Sequence, residues 1–377
     1  MSSILGTGIT PIGRHLEQSL AELAQAAAGD ALADAGVDRS DVDTVVFANA
    51  FAGMVQGQES VRGQVVLGRA GFAGAAIYNV ENACASGSSA VALAHRLLQA
   101  AASECALVVG AEKLHHASRD VSLRALATAT DIDEIDEDDV ARGVFMAHYA
   151  GKGREYLDAH DGQIEHFALA AARSSRNGAR NPSAQFRVAC TPDEVLAARP
   201  IIDPLTLLMC SPISDGAAAV VLGRQRPGAP RIQASATVSG CDGRDPSIEA
   251  ARKAFSEASV SPDQLDVLEV HDAAIPGELL ALEALGVCGK GEAGPWIADG
   301  RSDLDGDVAV NTSGGLVRRG HPIGATGVAQ IVEVADQLRG RAGERQVEGA
   351  RLGACHNAGG VLCDEPAVAV VTVMEAA

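Results

Sequence analysis

Residues 84–98 read CASGSSAVALAHRLL and residues 324–338 read GATGVAQIVEVADQL. Each opens on a turn of small residues and runs into an amphipathic helix, and the two stretches lie 240 residues apart. A second echo stands at an offset of 223, where ALADAGVDRSDVDTVVFAN from Ala31 shares its pattern with AFSEASVSPDQLDVLEVHD from Ala254. Each copy of this second motif is a helix, a polar turn, an aspartate and a buried strand. Two such echoes mark a duplicated α/β domain, because a solenoid would need several shorter copies. Ala-rich helical stretches alternate with β-branched runs such as CALVVG at 105–110, which is the pattern of α/β layers.

Outward from these echoes, the first half takes residues 1–113 and 196–225, and the second takes 230–377. The irregular section 114–195 reads as a loop domain inserted in the first half. Its acidic run DIDEIDEDD at 131–139 reads as a solvated loop. The chain has 377 residues, 47% of them hydrophobic and 21% charged, enough for two fused halves with a large core. A formal charge of −19 argues against general binding to nucleic acid or anionic membranes. No run of about 18 uncharged apolar residues marks a membrane span, and MSSILGTGITPIG lacks the pattern of a signal peptide. A cytoplasmic protein is expected. Eight cysteines without a CxxC pair suggest reduced thiols rather than a disulfide framework or a zinc site, and no metal site is expected.

Cys84 stands in the small-residue turn NACASGSS just before a helix, where unpaired backbone N–H groups favour a thiolate. In the corresponding turn of the second half, GGLVRRGHPIGATG at 314–327, His321 lies three residues before the position equivalent to Cys84. If the halves pack as pseudo-twofold mates the two turns meet, giving a nucleophile and a base suited to acyl transfer. His271 and Asp272 end the apolar strand LDVLEV, where α/β sheets bind ligands, and the imidazole is placed to donate to a developing oxyanion. His356 and Asn357, followed by Gly359 and Gly360, form a further polar cluster before the final strand. Taken singly, each has a plainer reading: a buried structural thiol, a loop histidine bonded to backbone, a strand-end histidine paired with its neighbour. His115 and His116 adjoin and diverge on a helix, which suits surface residues better than metal ligands. Arg173, Arg176, Arg180 and Arg187 read as solvated arginines rather than a phosphate patch. No dinucleotide, P-loop, HExxH, EF-hand or GxSxG pattern is present.

Taken together the motifs resemble the thiolase superfamily. NACASG resembles its nucleophile turn and GGLVRRGHPIGATG its histidine loop. NPSAQFR at 181–187, DPLTLLMCSPISDGAAAVVL at 203–222 and HDAAIPGELLALEALGVC at 271–288 resemble the sterol-carrier-protein-type thiolases. The resemblance implies an α/β thiolase fold of five layers, αβαβα, with one buried helix from each half between two sheets. It implies a dimer made through the first half, or a dimer of dimers. It implies that an acyl-CoA acylates Cys84 and that His321 activates the thiol. The oxyanion donors would be the backbone N–H groups of Cys84 and of a glycine at 359–360, with Asn357 in the same polar group. His271 would hold the thioester oxygen of the second substrate. Coenzyme A enters as a substrate, and no cofactor is bound by the chain.

The sequence departs from that pattern at one place. Typical members carry a second cysteine near the C-terminus in a CxG loop, and the sterol-carrier type carries it directly after the HD pair. This chain has Ala273 there, Ala274 where an aromatic is common, and HNAGG in the last loop. Cys355, His356 and Cys363 are nearby substitutes as acid/base at the α-carbon, and His356 ranks first because a neutral imidazole exchanges protons near pH 7. Relatives with an HDA-type motif often work beside a small zinc-ribbon and OB-fold accessory protein, for which the acidic 131–139 loop is a candidate docking face. The leading expectation is an acyltransferase that cleaves a 3-oxoacyl-CoA with CoA, or runs the reverse Claisen condensation, in lipid metabolism. A C-acyltransferase or retro-aldolase on a CoA-linked substrate, and a noncatalytic scaffold subunit, stand as alternatives.

Overall fold

The computed structural model describes residues 1–160 and 162–377. The first half runs β1 (Ser2–Ile9), α1 (Leu20–Ala35), β2 (Thr44–Ala48), α2 (Ala52–Gln56), α3 (Arg62–Leu67), β3 (Ala76–Val80), α4 (Ser86–Gln99) and β4 (Cys105–Lys113). Residues 114–214 then carry α5 (Arg119–Ala127), α6 (Glu137–Arg142), α7 (Val144–Ala159), α8 (Ile164–Ala179), α9 (Pro192–Leu196) and the hairpin β5 (Pro200–Ile202) with β6 (Leu205–Thr206). Strand β7 (Asp215–Gly223) returns to the sheet beside β4. The second half runs β8 (Arg231–Ser239), α10 (Pro246–Ala258), β9 (Val267–Glu269), α11 (Ile275–Ala284), α12 (Ala293–Ala298) and β10 (Ala309–Val310). It ends with α13 (Gly315–Arg319), α14 (Thr326–Leu338), β11 (Leu352–Leu362) and β12 (Glu365–Glu375).

Sheet order makes the duplication explicit. The strands run β3-β2-β4-β7-β1 in the first half and β10-β9-β11-β12-β8 in the second, the same path traced twice. In each, the first three neighbours are parallel and the last two joints antiparallel. The two five-stranded sheets join where Ser2 and Ser3 of β1 pair with Ile232 and Arg231 of β8. Helices α4 and α14 fill the space between the sheets, and α1 and α10 cover the outer faces. This is the five-layered αβαβα arrangement.

Local chemistry explains these elements. Helix α1 begins with a reciprocal cap between Ser19 and Glu22 and ends on Gly36 in the left-handed conformation. Helix α14 is buried almost throughout and α4 everywhere but near its end, where Arg96 and Gln99 reach solvent, and buried polar groups of α14 find partners: Gln330 donates to the His356 carbonyl, and Glu333 binds Arg345. The two helices approach so closely that a Cβ on Gly327 would lie 2.3 Å from the Ser88 nitrogen. Glycine there is a packing requirement.

The segment 114–214 covers one end of this sandwich. Helix α7 packs on α11 and α8 on α12 and α13. Arg173 of α8 lies buried, its guanidinium 2.6 Å from the Glu278 carboxylate of α11, and Asn311 donates to the same oxygen. The solvated reading of the arginine group is thus wrong for Arg173, while Arg176, Arg180 and Arg187 are exposed. Removing one member of such a buried pair costs about 3–5 kcal/mol, so Arg173 is a structural tie between the insertion and the second half. The acidic run 131–139 is largely solvated, with Glu137 paired to Arg124. All eight cysteines are free, and among the described residues no helix is long and apolar enough to cross a membrane.

Candidate active site

The turn before α4 places Cys84. Ala83 has a φ of 46°, a conformation rare for a residue with a Cβ, and it is held by a local lattice of hydrogen bonds. The Asn82 N–H donates to Ser86 Oγ, the Ser86 hydroxyl donates to the Ala83 carbonyl, and the Ala83 N–H donates to Glu81 Oε1. Strand β11 runs hard against this turn, since a Cβ on Gly359 would fall 2.2 Å from the Asn82 carbonyl oxygen. Gly360 follows with a φ of 63°, and the backbone N–H groups of Gly360 and of Cys84 itself favour the charged form of the sulfur. Burial nevertheless pushes the thiol up to about 12, and the Glu112 charge adds to the rise. The expected thiolate preference of the helix terminus is therefore overridden: the resting sulfur is a protonated thiol.

His321 arrives from the other half. Asp272 receives the Leu316 N–H at 2.7 Å and so anchors α13, and Gly315 is required because a Cβ there would lie 2.1 Å from the Asp272 carboxylate. Gly320 turns the chain at a φ of 105°, and the His321 N–H donates to Ser214 Oγ. The Thr326 hydroxyl donates to the Pro322 carbonyl, so it accepts from His321 Nδ1–H at 2.7 Å. That fixes the tautomer and leaves the Nε2 lone pair 3.4 Å from Cys84 Sγ. Burial and the nearby Arg319 charge depress the imidazole to about 3. Thiol and imidazole face each other uncharged.

His271 completes the group. Its ring meets that of His321 edge-on at 5.2 Å, and its Nδ1 accepts from Asn357 Nδ2 at 3.3 Å. Asn357 is itself locked, donating to Gln330 and accepting from Ser88. This leaves His271 Nε2–H to act as a donor, and burial holds the ring neutral. One ligand-capable atom from each of Cys84, His271 and His321 lies within 4.8 Å of the others. Asp272, expected as a neighbouring carboxylate for His271, instead serves α13.

His356 sits next to Asn357 on β11 and turns to the opposite face, where Nε2 meets Ser247 Oγ at 3.0 Å and Nδ1 has no partner. Burial lowers it to about 4, so it too is neutral. Cys84, His271, His321, His356 and Gly360 all line one cavity of about 480 Å³, whose walls also include Met146 and Tyr149 of α7 and Leu280 of α11. Cys355 and Cys363, the other substitutes considered for the missing cysteine, do not line it.

Several residues of the site carried no sequence signal. Thr326 lies in the quoted GATG but gives no hint that it fixes a tautomer. Tyr149 comes from the insertion and packs over Gly277, where a Cβ would be 2.9 Å from its ring. His115 is a half-buried cavity residue paired with Asp215 at 3.2 Å, rather than a surface histidine. Tyr149 and His115 meet partners about a hundred or more residues away in sequence, so no local spacing reports them.

Comparison with known proteins agrees with this geometry. Residues 2–226 match the family described as "Thiolase, N-terminal domain", and residues 243–372 match "Thiolase C-terminal domain-like". The chain is 37% identical to the acetyl-CoA acetyltransferase of Methanothermobacter thermautotrophicus, over 95% of this chain and 96% of that one. It is 35% identical to human sterol carrier protein 2, over 94% of this chain and 69% of that protein. Among solved structures, one named "Ltp2-ChsH2(DUF35) aldolase" superposes with a TM-score of 0.82 at 22% identity, covering 100% of this chain and 97% of that one, which shows a shared fold.

Proposed function

The chain belongs to the thiolase family, and from that premise we propose that it transfers acyl groups through Cys84, cleaving a 3-oxoacyl-CoA with CoA or running the reverse Claisen condensation. The observation that carries this reading is the Cys84 Sγ to His321 Nε2 approach of 3.4 Å, with the tautomer fixed by Thr326. As Sγ attacks the keto carbonyl, its proton passes to His321 Nε2. The bond between the keto carbon and the α-carbon then breaks, leaving an acyl-Cys84 thioester and an enolate that takes up a proton at carbon. The thiol of CoA attacks the thioester and restores the cysteine. An uncharged pair suits this sequence, because charge develops only as bonds change and meets the waiting N–H groups of Cys84, Gly360 and His271.

We assign the α-carbon proton to His356, a neutral cavity imidazole with one free nitrogen. In His356→Asn, exchange of α-protons of acetyl-CoA with deuterated water should be lost while Cys84 is still acylated; exchange that survives would transfer the role to His271. The exposed edge strand β3, with Tyr78, Val61, Val65 and Met54 uncovered beside it, supports a dimer built through the first half. The fold neighbour's name includes a DUF35 protein, and the solvated 131–139 loop is our candidate face for a comparable accessory protein. Eight free cysteines fit a cytoplasmic location.

Intact-protein mass spectrometry after incubation with acyl-CoAs, from acetyl-CoA to branched and aromatic 3-oxoacyl-CoAs, tests the proposal. An adduct on the wild type that is absent from Cys84→Ala supports it, and the added mass names the acyl group. An aldehyde or ketone product without CoA consumption would replace it with the retro-aldol reading, which the fold neighbour's name and Ala273 keep in view.

A further inference from the structure

Tyr149 and Tyr156 stand two turns apart on one face of α7, and their hydroxyls differ. That of Tyr156 accepts the Gly294 N–H at 3.1 Å, as a phenol in a packed core ordinarily finds a partner. That of Tyr149 has no hydrogen-bond partner among the described residues, and its side chain lines the cavity that holds Cys84 and His271. We propose that the Tyr149 hydroxyl is a further catalytic group, which donates a hydrogen bond to the thioester oxygen of the CoA-linked fragment as that fragment becomes an enolate, beside the His271 Nε2–H. The inference deepens the acyl-transfer reading and rests on it.

Placement supplies the first argument. A Cβ on Gly277, in the first turn of α11, would lie 2.9 Å from Tyr149 Cε1 and 3.3 Å from the His271 carbonyl oxygen, so the ring and the His271 backbone share one wall. Cε1 adjoins the ring carbon that bears the hydroxyl. The backbone N–H groups of Cys84 and Gly360 serve the oxygen of the acyl carbon joined to sulfur, whereas the thioester oxygen of the departing fragment otherwise meets His271 Nε2–H. A carbonyl oxygen has two lone pairs, and Tyr149 offers the second donor.

Chemistry supplies the second. When the bond between the keto carbon and the α-carbon breaks, its electron pair passes through the α-carbon to the thioester oxygen, where negative charge grows. A donor waiting at that oxygen binds the transition state more tightly than the substrate. Burial holds the phenol protonated well above its usual range, and the Cys84 and Asp272 charges push the same way, so the hydroxyl is a donor at every working pH. Its proton stays on Tyr149, while the enolate takes up its own at carbon. Attack of Cys84 on a plain acyl-CoA makes no enolate and has no use for the hydroxyl.

Tyr149→Phe removes the hydroxyl and keeps the ring against Gly277, with circular dichroism confirming the fold. Butanoyl-CoA and 3-oxohexanoyl-CoA leave the same butanoyl group on Cys84, and single-turnover mass spectrometry follows both. The variant is expected to label at the wild-type rate from butanoyl-CoA and about tenfold to a hundredfold more slowly from 3-oxohexanoyl-CoA, with the loss in kcat rather than KM. Exchange of the α-protons of acetyl-CoA with deuterated water should slow by a similar factor. Equal rates in the two proteins from the 3-oxo donor overturn the inference, as does an equal loss from both donors, which a role in packing or access would give. A wild type that exchanges no α-proton overturns it too. If no acyl-CoA labels the wild type, the acyl-transfer reading fails on its own, and exchange by Cys84→Ala with and without Tyr149→Phe still decides the role of the hydroxyl.

Discussion

The turn that opens α4 and the turn that opens α14 lead into their helices alike and have opposite surroundings. Ser86 and Thr326 begin their helices with nearly the same dihedrals, φ −55° and ψ −47° against φ −54° and ψ −49°. At the position equivalent to Cys84 the second half has Gly324, and a Cβ there would lie 2.7 Å from Asn49 Cα and 3.0 Å from the Ala48 carbonyl oxygen. The register explains why. Ala48 pairs with Gly110 under Gly324, whereas the corresponding residues under Cys84 are His271 and Asn357. His321 itself corresponds to Glu81, an exposed carboxylate that only braces its own turn. In the first half, Glu112 fills the remaining space and receives N–H groups from Ala50, Phe51 and Gly324. A pseudo-twofold fold builds two equivalent crevices. One is packed shut with small residues and a carboxylate clamp, and the other is left open and lined with imidazoles.

Changes at the open crevice should act on chemistry and leave stability alone. Cys84→Ala is expected to abolish the acyl adduct and to lower turnover by about 10⁴-fold or more, since His321 Nε2 has no other thiol within hydrogen-bond reach. Its melting temperature should stay close to wild type; a large drop would mean that the thiol holds the turn together and would blur the contrast between the crevices. Thr326→Val removes only the acceptor for His321 Nδ1–H and frees the tautomer. We expect acylation to slow by about tenfold to a hundredfold with KM little changed, read by single-turnover mass spectrometry. An effect confined to KM would place Thr326 in substrate binding instead.

At the packed crevice the expected response is reversed. Gly324→Cys gives the second turn the nucleophile of the first, yet its Cβ meets backbone atoms of Asn49 and Ala48 that have no room to move. Denaturant unfolding should show a loss of about 1–3 kcal/mol, and the new thiol should gain no acyl group. An acyl group on the introduced thiol would show that the packed crevice still admits a substrate.

The repeat is readable because packing imposes it locally: small residues must open helices that meet at Gly87 and Gly327, so the same turn signature appears twice. The same signature pairs Cys84 with His321 from sequence alone. Protonation is not readable in that way. The helix terminus argues for a thiolate, whereas the balance is decided by burial contributed in part by Tyr149 and Met146, from a segment unrelated in sequence. For the same reason the burial of Arg173 and the pairing of His115 with Asp215 leave no trace in composition or spacing. His271 is legible because it ends a strand, and its restraint by Asn357 and Gln330 belongs to the packed centre where the halves meet.

The smallest expected effect is a pH profile with little in it. Burial raises the Cys84 thiol to about 12 and depresses His321 to about 3, so neither charges across the neutral range. The observed rate of acyl-enzyme formation should therefore show no inflection from this pair between about pH 5 and pH 9. The sign matters at the ends. Below pH 5 the rate should fall as protonation removes the base, and above pH 9 alkylation by iodoacetamide should keep climbing as thiolate accumulates. A thiolate–imidazolium pair would give the opposite shape, with alkylation already at a plateau near neutrality. A plateau at pH 7 would mean that the open crevice is wetter than its lining implies, and would locate the difference between the two crevices in solvent access rather than in the residues beneath them.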